Sequence, residues 1–292
     1  MRYDVIHKTR YDYDTAVSVS QHLLRLTPRP LVHQRSVHHE IAIEPKPALS
    51  NVRQDYLGNT VTFIAVETPH RALEVTAQTV VEVESPAPVE AARTPPWEEI
   101  RALCRGDGWT AAGASGQFAF PSPLIPRGAE FEQYARPSFS RACPVLEGAQ
   151  ELMARIHADF AFDPRATTVA TPLGEVFRKR RGVCQDFAHL YIACLRALGL
   201  PARYVSGYLE TLPPPGKPKL VGADASHAWA SLWCGAEAGW VDLDPTNNVR
   251  PADRHITLGW GRDFGEVSPV RGVIVGGGRH RLKVAVDVTA AA

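Results

Sequence analysis

The sequence predicts a mixed fold in which antiparallel strands and helices occupy separate stretches of the chain. Three observations carry this. Short stretches of alternating apolar and polar residues run from Tyr3 to about Glu84, a strongly patterned helix follows Arg181, and a period-two hairpin spans Ala225 to Asp244. With 292 residues the chain is long enough for two ordinary domains and a sizeable core. A net charge of +1 gives no global pull toward nucleic acid or an acidic membrane surface, so partners must be argued from a site. The five cysteines, at 104, 143, 184, 194 and 234, form neither a C-x-x-C pair nor an even disulfide framework, which points to a reducing compartment. The start M-R-Y-D-V-I-H-K lacks a leader's apolar centre, and no apolar run approaches the roughly 18 to 20 residues of a membrane span. The expectation is a soluble cytoplasmic protein.

In the first region, Glu40 to Ile43, Val61 to Val66 and Leu73 to Ala77 read as strands, divided by Pro45 and Pro47, by Gly58-Asn59 and by Thr68-Pro69. Short strands at this spacing predict an antiparallel sandwich or open barrel over 1–85. His7, His38, His39 and His70 are scattered over different strands without ligand spacing, so no metal site is read there. Ser85-Pro86-Ala87-Pro88 marks a boundary, because two prolines among small residues make an extended connector. The stretch 86–145 then reads as a connector with a short helix from Trp97 to Cys104, a glycine- and serine-rich loop at 111–116 and a proline-rich run at 118–127.

A third region, 146–292, opens with helical periodicity through Phe160, with Leu146, Leu152, Met153 and Ile156 facing inward. Thr171-Pro172 predicts a cap followed by an N1 proline and a short helix ending in the basic run Arg178 to Arg181, a solvated helix end with no aromatic interleaving for nucleic acid. In the next helix Phe187, Leu190, Tyr191, Cys194, Leu195 and Leu198 recur at three-and-four spacing, and Gly199 with Pro201 supplies the stop. Gly182 places Cys184 in or just before the first turn, where unpaired backbone N–H groups favour thiolate over thiol. Cysteine is usually a small apolar filler, and Cys194, on the stripe of the same helix, reads that way. Cys184 is the candidate nucleophile.

Ala202 to Leu209 is strand-like, and a loop stiffened by prolines follows at 213–218. From Ala225 to Trp233 the chain alternates, so His227, Trp229, Ser231 and Trp233 share one face. Cys234 to Gly239 turns, Trp240 to Asp244 returns, and Pro245 ends the ladder. If Trp233 lies opposite Trp240, Ser231 faces Asp242 and Trp229 faces Asp244. Two residues along a strand amount to about 6.5 to 7 Å, so Asp244 is one such step from His227 and Asp242 is two. A bulge or the strand end can close that step, which makes Asp244 the first choice to orient the imidazole and Asp242 the second. Taken singly, His227 is a structural histidine, Trp229 a core aromatic and Asp244 a turn initiator. Together, Cys184, His227 and Asp244 supply nucleophile, base and orienter.

At these residues the chain resembles the bacterial branch of the transglutaminase-like superfamily, often described as cysteine proteases. The matching strings are G-V-C-Q-D-F-A-H-L at 182–190, L-G-L-P-A-R-Y-V-S-G-Y at 198–208, D-A-S-H-A-W at 224–229 and G-W-V-D-L-D-P-T-N at 239–247. The N-terminal part is similar to the β-rich region that precedes such cores, through His7 to Tyr11, Leu24 to Arg29 and Asp55 to Asn59. The resemblance implies an α+β, papain-like core, with the cysteine helix on an antiparallel sheet, preceded by a β-sandwich-like N-terminal domain. It implies Cys184, His227 and Asp244 as the catalytic triad. It also implies thiol-dependent acyl transfer on a peptide or protein substrate, and the near-neutral charge adds neither nucleic acid nor membrane as an expected partner. Water resolving the thioester makes a cysteine protease or amidase, the favoured reading; an amine makes a protein-glutamine transglutaminase; a vestigial triad leaves a protein-binding module. Animal members of the superfamily require calcium, but no acidic loop of the kind calcium needs occurs here, so neither metal nor cofactor is implied. The tail through Gly261-Arg262-Asp263-Phe264 to Val288 fits the family's continuation, and its last stretch alternates as a strand of either sheet.

Overall fold

In the computed structural model, which describes residues 1–105, 113–211 and 226–291, the N-terminal region is built around one 23-residue strand, β1 (Arg2–Leu24). The proline-rich loop at 213–218, Asp224 and Ala225 before His227, and Ala111 and Ala112 of the glycine- and serine-rich loop lie outside the described residues. β2 (Gln34–Glu44), β3 (Leu49–Gln54), β4 (Thr60–Val66) and β5 (His70–Val83) join β1 in the order β2-β5-β1-β4-β3, all antiparallel. Alternation along β1 buries Tyr3, Val5, His7 and Thr9 on one face. The first half of β1 pairs with β5 and the second with β4, and its register with β5 breaks between Asp12 and Val17. One long strand thereby serves two leaves, with Val17, Leu24, Ile64, Leu73 and Val75 clustered as their shared core.

The second region comprises α1 (Trp97–Arg105), α2 (Ala129–Ala135), α3 (Val145–Asp159), β6 (Ala161–Phe162), α4 (Leu173–Lys179), β7 (Arg181–Gly182), α5 (Cys184–Ala197), β8 (Ala202–Leu209), β9 (Ser226–Trp233), β10 (Trp240–Leu243), β11 (His255–Gly261) and α6 (Phe264–Val267). An antiparallel sheet in the order β10-β9-β8-β11 carries α5 on one face. The inward positions foreseen on α3 and α5 are all buried. α5 goes further and is buried on every side from Asp186 to Arg196, because the sheet covers one flank and α2, α3 and α4 cover the others. Its polar residues are partnered: His189 Nε2 accepts the Phe264 N–H at 3.1 Å, and Arg196 donates to the carbonyls of Phe118, Ala202 and Arg262. Gly199, at φ +84°, closes the helix in a left-handed turn, with Leu200 N–H on the Leu195 carbonyl and Gly199 N–H on that of Arg196. α4 begins at Leu173, so Pro172 is its N-cap rather than its N1 residue. No helix among the described residues is long and apolar enough to cross a membrane.

Two boundaries read from the sequence are corrected by the packing. The stretch 86–145 is not a mere connector, since Trp97, Ile100, Ile125, Phe131 and Phe139 belong to the same core cluster as α5. Nor does the second region run to residue 292. β12 (Val270–Gly276) and β13 (His280–Ala290) return to the N-terminal sheet and pair with β1 along its other edge, β13 beside the first half and β12 beside the second. Strands β2 to β5 leave that edge open, and alternation along β13 sets Val286 and Val288 against Tyr3 and Val5. A chain ended at Pro269 is therefore expected to aggregate or to melt far below the full protein. It uncovers the edge of β1 and removes two fully buried valines worth about 1.5–3 kcal/mol each. A monomer with an unchanged melting midpoint would contradict this.

The two regions meet where Tyr208, Ile256 and Leu258 pack on Tyr3, Val5, Val81 and Val83. Gln34 acts there as a strand residue would. Its amide donates to the Thr257 carbonyl and accepts the Thr257 N–H, each at 2.7 Å, at the irregularity between Thr257 and Gly259 of β11. The N-terminal region thus fixes the strand whose first residue, His255, enters the site.

Candidate active site

α5 begins at Cys184. Its N-cap, Val183, has no acceptor to offer, and the first turn is held instead by Asp186, whose Oδ2 accepts the Val183 N–H at 2.8 Å and the Thr167 hydroxyl at 2.6 Å. Burial pushes the Asp186 carboxyl up, against those hydrogen bonds. Gly182 is required by this arrangement, since a Cβ there would lie 2.6 Å from Asp186 Oδ2. Cys184 is half-buried, with Sγ 4.0 Å from the Ser226 carbonyl oxygen on β9. It also lies within hydrogen-bonding reach of the His227 imidazole.

The hairpin has the register derived from its tryptophans: Trp240 lies opposite Trp233 and Asp242 opposite Ser231. Trp229 is fully buried and donates its indole N–H to Asp242 Oδ2 at 2.9 Å, which commits Asp242 to the tryptophan and not to the histidine. The indole needs Gly207 on the neighbouring strand, because a Cβ at that position would meet the ring at 2.4 Å. β10 stops at Leu243, and Asp244 leaves the ladder to form an isolated bridge with Val249. That departure closes the step between strands. Asp244 Oδ2 accepts His227 Nε2–H at 2.7 Å, while Oδ1 accepts the backbone N–H groups of Thr246 and Asn247. Asp244 is therefore both turn initiator and partner of the imidazole. With Nε2 engaged by the carboxylate, Nδ1 is the ring nitrogen left for the thiol.

Two further residues converge on the same carboxylate oxygen without having been singled out from the sequence. Asn247 Nδ2 donates to Asp244 Oδ2 at 2.7 Å, and His255 Nε2, buried at the start of β11, does so at 3.2 Å. His255 Nδ1 has no partner among the described residues. Asn247 stands in the string D-P-T-N and was within reach of turn reasoning. His255 was not, because it arrives by a long-range strand pairing. The ring of Trp229 walls both imidazoles, 6.0 Å from that of His227 and edge-on at 5.3 Å to that of His255.

Burial pulls the His227 imidazole toward neutrality, but its hydrogen bonds to Asp244 and Cys184, and their charges, outweigh burial and carry it up to about 10. For Asp244 burial favours the neutral acid, and the hydrogen bonds of His227 and His255 with the charge of His227 hold the carboxyl well below the usual carboxylate range. The ligating atoms of His227, Asp244 and His255 lie within 4.8 Å of one another. Their N···O distances of 2.7 and 3.2 Å are those of direct hydrogen bonds, and an ion there would have to displace the hydrogen bond that His227 donates to the Asp244 carboxylate.

Residues 3–82 match the family described as the bacterial transglutaminase-like N-terminal region, and residues 132–245 match the transglutaminase-like superfamily. The chain is 41% identical over 298 residues to an uncharacterized protein of Mycobacterium tuberculosis, covering 98% of this chain and 92% of that one. A protein-glutamine gamma-glutamyltransferase of Pseudomonas aeruginosa is 36% identical over 110 residues, covering 35% of this chain and 16% of the relative. Among solved structures, a candidate cysteine protease from Cytophaga hutchinsonii superposes with a TM-score of 0.75 at 18% identity, covering 100% of this chain and 92% of that one. At that identity the likeness speaks for the fold.

Proposed function

We propose that this chain, which belongs to the transglutaminase-like superfamily, is a thiol-dependent acyl-transfer enzyme that acts on a peptide or isopeptide amide. The reading rests on one observation: a single imidazole, His227, lies between the Cys184 thiol and the Asp244 carboxylate. His227 takes the proton of Cys184 and Asp244 holds the resulting imidazolium. The thiolate attacks the amide carbonyl, His227 returns the proton to the leaving nitrogen, and an amine departs from a thioester. The backbone N–H groups of Cys184 and Gln185 open α5 without intrahelical acceptors, and as oxyanion donors each contributes about 3 kcal/mol to lowering the barrier.

Water then attacks the thioester, His227 accepting its proton, to release a carboxylic acid and the thiol. This outcome makes the protein a cysteine protease or amidase, in keeping with the candidate protease of the same fold. The partial match to a gamma-glutamyltransferase favours a second outcome, in which a primary amine replaces water and a new amide forms. A peptide library that includes glutamine and isopeptide substrates separates the two when products are weighed with and without added primary amine. Acid products that persist in the presence of amine are expected. Amide products that displace the acid would establish transamidation instead, and no turnover of any member would overturn both.

A further inference from the structure

Arg203 on β8 is 8% exposed, yet among the described residues it makes no hydrogen bond and no ion pair. Its guanidinium lies between two indoles, 3.6 Å from the centroid of Trp260 and 4.2 Å from that of Trp240. Arg29 stacks on the far face of Trp260 at 3.6 Å, so the row adds a second positive charge. Stacking satisfies the faces of a guanidinium but none of its N–H donors, which all point out along its plane. Nε is sealed without a partner. Arg203 lines a cavity of about 130 Å³ whose wall also includes Arg250, His33 and Asp242. Arg250 gives one nitrogen to the Val89 carbonyl, and Asp242 gives one oxygen to the Trp229 indole.

We propose that this cavity is a carboxylate-binding site in which Arg203 grips a planar carboxylate end-on through its two terminal nitrogens. A buried cation without hydrogen-bond partners carries a desolvation penalty that a charge-assisted pair relieves. A carboxylate can lie in the guanidinium plane and pair with both terminal nitrogens at once. The volume equals that of about four water molecules, enough for one carboxylate and its first carbons. Burial draws the Arg203 guanidinium down to about 9, with Asp242 opposing and Arg29 assisting, so the walls alone leave the charge poorly compensated. The site is distinct from the triad. Arg203 pairs with Ser231, four residues along β9 from His227, a separation of about 13 Å.

The test is a titration of the full chain with sodium acetate, followed by tryptophan fluorescence and melting midpoint, with sodium chloride at equal ionic strength as control. A saturable rise in midpoint with acetate and none with chloride is expected. Arg203→Lys, which keeps the charge but loses the fork, is expected to weaken binding about tenfold. Should that variant fail to fold, Arg250→Gln at the rim is expected to weaken binding by a smaller factor. Asp242→Asn, which removes the one acidic group on the wall and keeps the acceptor for Trp229, is expected to tighten it. A tetrapeptide with a free C-terminal carboxylate, compared with its amide, identifies the source: binding tighter than acetate indicates a peptide terminus, and binding no tighter indicates a small free acid. No saturable response to acetate or peptide, an equal response to chloride, or an Arg203→Lys protein that binds like the parent would overturn the proposal.

Discussion

Iodoacetamide is expected to label Cys184 ahead of the other four cysteines, and Cys184→Ser is expected to lose acyl transfer by on the order of a millionfold. The contrast among the thiols is physical. Burial pushes Cys104 up to about 11 and Cys234 up to about 12, raises Cys194 still further, and raises Cys143 with help from Glu147. Cys184 alone opens a helix beside an imidazole whose charge is stabilised at neutral pH. His227→Phe should slow labelling of Cys184 and leave that of Cys104 unchanged, which ties the reactivity to the pair and not to exposure. Serine keeps the volume of the side chain, so the melting midpoint of Cys184→Ser should stay close to that of the parent and separate chemistry from folding. If Cys184 labels no faster than Cys104, and its replacement leaves a measured turnover intact, the acyl-transfer reading fails and a binding module remains.

Local periodicity made much of this site legible, and long-range pairing hid the rest. Alternation allows Trp233 to lie opposite Trp240 but does not force it, since a shift of two residues keeps the same faces, and the hairpin adopts the register that pairs the two tryptophans. Strand geometry could not say where Asp244 goes once Pro245 ends the ladder; the turn made by Asp244 Oδ1 with Thr246 and Asn247 answers that. His255 was silent because its neighbours along the chain give no sign that β11 will lie beside β8 and aim a ring at Asp244. The same holds for β13. Alternation from Leu282 to Val288 announces a strand, but which sheet receives it depends on which edge of β1 the other strands leave open. The stripe on α5 was read correctly but understates its burial, since a stripe describes one packing surface and this helix has several.

Asp244→Ala is expected to destabilise the protein by about 3–5 kcal/mol, because it strips one acceptor from His227, His255 and Asn247 and another from two backbone N–H groups inside a buried site. For a chain of this length that corresponds to a fall in melting midpoint on the order of 10 °C. Asp244→Asn keeps an acceptor and should cost less, so the two variants divide charge from hydrogen bonding. Their pH dependence follows from the shifts. The carboxyl of Asp244 is held low in the folded protein, so its contribution is present above the ordinary carboxylate range and is lost as pH falls through the folded value. His227 is held high, so its contribution is complete below 6.5 and fades as pH rises toward about 10. Asp244→Asn removes the main support for the charged imidazole, leaving burial to favour the neutral ring. Between pH 6.5 and about 10 the stability advantage of the parent over this variant should therefore shrink steadily. Denaturant unfolding of both proteins across that range measures it. A constant difference would mean that His227 bears no charge in the folded state, and the imidazolium on which the transfer mechanism depends would have no ground in the resting protein.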